Sequence, residues 1–190
     1  MRRRTRIQKD IGDILSSCLD ISGIYNMFTC VGEASDVSGI VLIVGSPGTP
    51  YHGGYYFFKF EIPDKYPYVA PRITLLTQNG LIRFHPAFFA NGHVQLRNLK
   101  NWSAGCTLLT LITELYECLG DVVDSAAHTT DALFTKNCWF AVCKMLRAPP
   151  AGCEIFMPMM KKHYKETQPA LLDKAQDTRI VQLLTAMNVD

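Results

Sequence analysis

Cysteine is the residue in this 190-residue chain best suited to covalent chemistry, and there are seven: Cys18, Cys30, Cys106, Cys118, Cys138, Cys143 and Cys153. A thiolate is nucleophilic near neutral pH and leaves readily, so one well-placed cysteine can carry an acyl group as a thioester. Zinc sites usually need paired Cys-x-x-Cys spacing, and no such pair occurs. Cys18, Cys118 and Cys138 fall in apolar-periodic segments, where cysteine acts as a small core residue. The odd number points to free thiols in a reducing compartment, with no structural metal and no cofactor. Cys106 borders a long stretch that holds His85, Phe88, Phe89, Gln95 and Trp102. Two adjacent aromatics on a loop are hard to bury together, so one of Phe88 and Phe89 is expected to face a partner.

Charge supplies less. The formal net charge is +2, too small to argue for nucleic acid. The one dense basic run is Arg2, Arg3, Arg4 and Arg6, followed by Lys9. It reads as a solvated first helical turn. A mitochondrial import segment is the alternative, which Asp10 and Asp13 oppose. No stretch approaches the ~18 apolar residues of a membrane helix, and no secretory segment is visible. An intracellular protein, cytoplasmic or nuclear, is expected.

The elements that must position these side chains follow from periodicity. Ile7, Ile11, Ile14, Leu15 and Cys18 recur at helical spacing over residues 4–18, with Arg6, Lys9, Asp10 and Asp13 on other faces. Strands are expected at Met27–Val31, Ile40–Val44, Tyr55–Ile62 and Arg72–Leu76, close enough in sequence to form an antiparallel meander. Gly32–Gly39 reads as a loop. Tyr56, Phe58, Phe60 and Ile62 alternate with Lys59 and Glu61. From Leu81 to Trp102 periodicity fails, and so long an irregular stretch in a compact domain is usually functional. Helices are expected at Thr107–Leu119, with Leu108, Leu111, Ile112, Leu115 and Leu119 inward, at Thr130–Leu146, at 154–166 from near Pro158, and from Pro169 to about Met187. The fold class is α+β. Residues 1–150 read as one domain, with a helical C-terminal extension over 151–190 packed on or beside it.

This order is similar to that of the ubiquitin-conjugating-enzyme (UBC) domain, and local motifs agree. Thr49-Pro50-Tyr51-x-Gly53-Gly54 resembles the family's TPYxGG turn. Ile62-Pro63-x-x-Tyr66-Pro67-x-x-Ala70-Pro71-x-Ile73 resembles its FPxxYPxxPPxI loop. His85-Pro86-Ala87 stands where the family has His-Pro-Asn, Asn91-Gly92-x-Val94-Gln95-Leu96 where it has NGxxCL, and Leu99-x-x-Trp102-Ser103 resembles LxxWSP. Arg83-Phe84-His85-Pro86, the short Gln95-to-Trp102 spacing, Ala141-Val142-Cys143-x-Met145 and the C-terminal helices resemble the Z-type conjugating enzymes.

The resemblance implies a degenerate site. Active members carry ubiquitin on a cysteine, and Gln95 aligns with it. Their oxyanion-stabilising asparagine aligns with Ala87, whose methyl group donates no hydrogen bond. His85 and Pro86 would brace the loop, Trp102 would anchor it, and the Tyr66–Pro67 bond would be cis. The ligase-gripping loop reads Trp102-Ser103-Ala104, and Tyr68 keeps an aromatic at a ligase-contacting position. Arg3, Arg4, Arg6 and Lys9 resemble the surface that meets the activating enzyme. The implied protein is a pseudoenzyme whose partners are ubiquitin or an enzyme of its pathway. The alternatives are a structural subunit of a large assembly and an active enzyme with Cys106 as a displaced nucleophile.

Overall fold

The computed structural model describes residues 3–18, 24–31, 36–46, 49, 51, 54–77, 85–120, 153–160 and 162. A first helix, α1 (Arg3–Cys18), precedes four strands, β1 (Ile24–Val31), β2 (Asp36–Val44), β3 (Tyr55–Ile62) and β4 (Arg72–Leu75). A one-turn helix, α2 (Arg97–Lys100), and a longer one, α3 (Leu108–Gly120), follow, and a 3-10 turn at Glu154–Phe156 runs into helical residues 157–160. The strands form one antiparallel sheet in the order β1-β2-β3-β4, the expected meander. The anticipated helices at Thr130–Leu146 and Pro169–Met187, with Cys138 and Cys143, lie outside the described residues.

The sheet's inner face makes the core. Tyr56, Phe58, Phe60 and Ile62 point inward from β3, opposite Ile43, Val41, Gly39 and Val37 of β2. Leu108, Leu111, Ile112, Leu115 and Leu119 of α3 close over them, with Ile7 and Ile14 of α1. Gly39 is a strand residue rather than loop, paired with Phe28 and Phe60, and a Cβ there would sit 2.2 Å from the Phe28 ring that lies across it. β1 and β2 also begin earlier than their apolar runs, at Ile24 and Asp36. Ladder bonds in the hairpin, from Ile24↔Ile43 to Val31↔Asp36, hold polar residues that periodicity assigns to the loop.

Three expectations need correction. Asp10, assigned to an outer face of α1, is fully buried. Leu15, assigned to its apolar stripe, is 54% exposed. The buried stripe is Ile7, Asp10 and Ile14, at the i, i+3, i+7 spacing of one helix face, and Leu15 lies one residue around from it. The 154–166 segment turns helical at Glu154, ahead of Pro158, because Phe156 is anchored against Phe57, ring centroids 5.8 Å apart. That contact, with a Tyr55 hydroxyl donating to the Met160 carbonyl, covers one end of the sheet's outer face. It explains why Tyr55 and Phe57 are buried as well as their inward neighbours.

Candidate functional site

The irregular stretch resolves into two tight reversals stitched to the sheet. His85-Pro86-Ala87-Phe88 forms the first, closed by the Phe88 N–H donating to the His85 carbonyl at 3.0 Å. The Ala87 N–H donates to His85 Nδ1 at 3.0 Å, which leaves the neutral imidazole's proton on Nε2. The His85 ring is buried against Phe88 and Tyr51. Phe88 itself is fully buried against Phe58, so it presents nothing to a partner; Phe89, half-buried beside His93, is the outer of the two. Gly92 adopts φ +85° in the second reversal, a conformation that glycine takes without a Cβ clash. Its carbonyl accepts from Leu75 of β4 at 2.8 Å.

The chain then runs extended. Val94 and Leu96 are buried and Gln95 between them is exposed, the alternation that extended backbone imposes. The Gln95 N–H donates to the Ala87 carbonyl at 2.8 Å. Positions 87 and 95, eight residues apart in sequence, are therefore held together backbone to backbone. Just beyond, Leu96 has no side-chain oxygen to cap α2, and Glu114 of α3 supplies one: its carboxylate accepts from the N–H groups of Arg97 (2.7 Å) and Asn98 (3.1 Å) and from Asn98 Nδ2 (2.8 Å). A carboxamide at position 95 can donate and accept hydrogen bonds, but it is not a nucleophile that forms a thioester.

Trp102 and Ser103 belong to a different place. Trp102 Nε1 donates to the Pro67 carbonyl at 2.7 Å, its ring 5.9 Å from Tyr66; the Tyr66–Pro67 bond is cis. Arg6, 15% exposed, donates through Nε to both Asp10 carboxylate oxygens (2.9 and 3.1 Å) and through Nη1 and Nη2 to the carbonyls of Ala104 (3.0 Å) and Cys106 (2.7 Å). The Tyr66 hydroxyl donates to Asp10 Oδ2. Burial, and then that carboxylate, push the Tyr66 phenol well above its ordinary value. Arg3 is likewise turned inward, donating to the carbonyls of Ile62 and Pro63. The expected cationic surface therefore reduces to the exposed Arg4 and Lys9. Tyr68 is 78% and Val69 44% exposed, and Ser103 is exposed, 3.7 Å from the Cys106 sulfur. None of the described contacts of Cys106 reaches residues 85–95. Asp10 and Glu114 are the residues that sequence reasoning missed. An aspartate within Ile7, Ile11 and Ile14, four residues after an arginine, was a readable signal; Glu114 left none.

Among the described residues no three His, Cys, Asp or Glu side chains are grouped as metal ligands, and no helix is long and apolar enough to cross a membrane. A family model, ubiquitin-conjugating enzyme, matches residues 25–139. The zebrafish (Danio rerio) ubiquitin-conjugating enzyme E2 Z is 40% identical over 172 residues, covering 77% of this chain and 52% of that protein. The human E2 Z is 41% identical over 91 residues, covering 44% and 25%. The chain thus spans about half or less of these relatives' length. Among solved structures, a Toxoplasma gondii ubiquitin conjugating enzyme domain superposes with TM-score 0.55 at 26% identity, covering 74% of this chain and 96% of that one.

Proposed function

The chain belongs to the ubiquitin-conjugating enzyme family, and from that premise we propose that it acts without forming a thioester, as a binding or structural module. The observation that carries this reading is the pairing of Ala87 with an exposed Gln95. These are the two positions that the family resemblance aligns with the oxyanion-stabilising asparagine and the ubiquitin-carrying cysteine. The frame around them is closed and hydrogen-bonded, so what is missing is a nucleophile and a donor, not a loop. Gln95 cannot hold ubiquitin covalently, and Ala87 offers no side-chain donor to an oxyanion.

Within this reading the surface for partners is the exposed pair Tyr68 and Val69 beside Ser103 and Ala104, the loops at which the resemblance places ligase contacts. This favours an adaptor that engages a ubiquitin ligase over a packing subunit of a large assembly, and over an enzyme that uses Cys106. Cys106 and Cys153 are free thiols, which fits a reducing intracellular compartment.

A charging assay tests the proposal. The protein is incubated with ubiquitin, ATP and activating enzymes and run on a non-reducing gel. No reductant-sensitive adduct is expected. An adduct that reductant removes, and that Cys106→Ala abolishes, would make this an enzyme with a moved nucleophile.

A further inference from the structure

Two exposed loop tips, Tyr68–Val69 and Ser103–Ala104, are tied together at their bases. The indole of Trp102, the residue before one tip, donates to the carbonyl of Pro67, the residue before the other. A single buried carboxylate lies behind both. Asp10 takes the Tyr66 hydroxyl, on the approach to the first tip, and the Arg6 guanidinium, whose other nitrogens hold the carbonyls of Ala104 and Cys106 in the second. Stability alone does not call for an ion pair here, since apolar groups of similar volume pack equally well in such positions. The forked guanidinium instead fixes two separate carbonyls at once, which a point charge cannot do.

We infer that Arg6 and Asp10 are positioning residues that hold the two tips as one docking edge, resting on the reading above that this edge meets a ubiquitin ligase. Arg6 then acts on a partner through loop geometry, not as a charge. Its replacement weakens binding without changing the dependence on salt. Charge reversal at the exposed Arg4 or Lys9 is the contrasting case, because the attraction of an exposed charge is screened.

Two readouts on the full chain test this. The first is amide hydrogen exchange in Asp10→Asn, which keeps an acceptor for Tyr66. Arg6→Lys, which keeps a cation beside Asp10, is the second variant should the first not fold. The amides of Tyr68 and Val69, both bonded to the Lys65 carbonyl, and of Cys106, bonded to Ser103, are expected to exchange faster together, on the order of tenfold beyond any change that lower global stability brings to β2 and β3. A change confined to one loop, or none, overturns the inference. The second readout is affinity for a panel of isolated ubiquitin-ligase domains at two salt concentrations. Tyr68→Ala and Arg6→Lys are each expected to weaken binding about tenfold or more, the latter with unchanged salt dependence. If no domain binds, or Tyr68→Ala leaves binding intact, the ligase reading fails and the exchange result alone decides the positioning role. If Tyr68→Ala weakens binding and Arg6→Lys does not, the positioning role fails.

Discussion

The segment that carries Ala87 and Gln95 and the edge that carries Tyr68 and Ala104 are both loop structures laid against the same core, yet they are held by different means. The first is built largely from backbone: Gln95 to Ala87, Phe89 to His93, Gly92 to Phe89, and Leu75 of β4 to Gly92. The second is built largely from side chains: Arg6, Asp10, Tyr66 and Trp102. Main-chain bonds are available to every residue but proline as donor. A loop shaped by them can exchange its outward side chains, and with them its chemistry, without losing its form. A loop shaped by side chains cannot. Positions 87 and 95 and the buried ion pair therefore lie where each kind of construction allows or requires them.

The edge is the more easily disrupted of the two. Arg6→Met leaves the Asp10 carboxylate buried with its cation gone, and removing one partner of a buried pair costs about 3–5 kcal/mol. A urea titration followed by tryptophan fluorescence, which Trp102 reports, should show the loss. The double variant with Asp10→Asn should recover much of it, because no uncompensated charge remains. If Arg6→Met changed the urea midpoint by no more than a surface substitution does, the edge would not be held by this pair.

The next largest effect is on pH dependence. The Tyr66 phenol is pushed above the ordinary tyrosine value of about 10 by burial and by Asp10. The unfolded chain therefore loses that proton first as pH rises, while the folded chain keeps it. Stability from this group is fully present below pH 10 and is lost above it, with a slope of up to about 1.4 kcal/mol per pH unit. Urea midpoints at pH 8 and 11 should diverge more in the native protein than in Tyr66→Phe, which has no phenol to ionise. Equal divergence would mean that the hydroxyl is not held by the carboxylate. Cys153, raised by burial to about 11, adds a loss of the same sign in both proteins and drops out of the difference.

How much of this was legible in the sequence follows the same division. The meander and the inward stripes of β3 and α3 were readable, because apolar period is a local signal, whereas the reversals around His85 and Gly92 were read only as an irregular stretch. Asp10 left a partial signal, its place among Ile7, Ile11 and Ile14 four residues after Arg6, but its burial depends as well on Tyr66, more than fifty residues on. The same holds for Arg3 and Arg6: an arginine run reads as solvated cations, and only the tertiary structure brings the carbonyls of Ile62, Pro63, Ala104 and Cys106 within their reach. Phe88 and Phe89 were rightly seen as a pair that could not both be buried, but which one turns in is set by the bridge between Phe88 and Val94. The strand boundaries of β1 and β2 were missed for a similar reason, as ladder pairing extends beyond the apolar runs.

Just past Gln95 the chain leans on a side chain from another element, Glu114 of α3. Its carboxylate stands in for the absent cap of α2, and loss of such a cap costs about 1 kcal/mol. Glu114→Ala is expected to lower stability by that amount and to speed exchange at Arg97 and Asn98, both just past Gln95. Glu114→Gln, which retains an acceptor oxygen, should recover part of it. An unchanged exchange rate at those two amides would show that the turn of helix is set by its neighbours alone.

The smallest effect is expected at Gln95, and that is where the contrast is sharpest. Gln95 is exposed, its neighbours Val94 and Leu96 supply the burial, and its hydrogen bond to Ala87 is made by the main chain. Gln95→Cys removes none of these. Stability should stay within about 0.5 kcal/mol of the native protein, the range of surface substitutions away from special features, with the Gln95 amide equally protected from exchange. The introduced thiol, being exposed, should react with a small thiol reagent faster than the buried Cys153, whose ionisation burial opposes. A destabilised Gln95→Cys would mean that the carboxamide does structural work there. The segment would then be a loop refitted around glutamine, not one that keeps its shape whichever residue faces out.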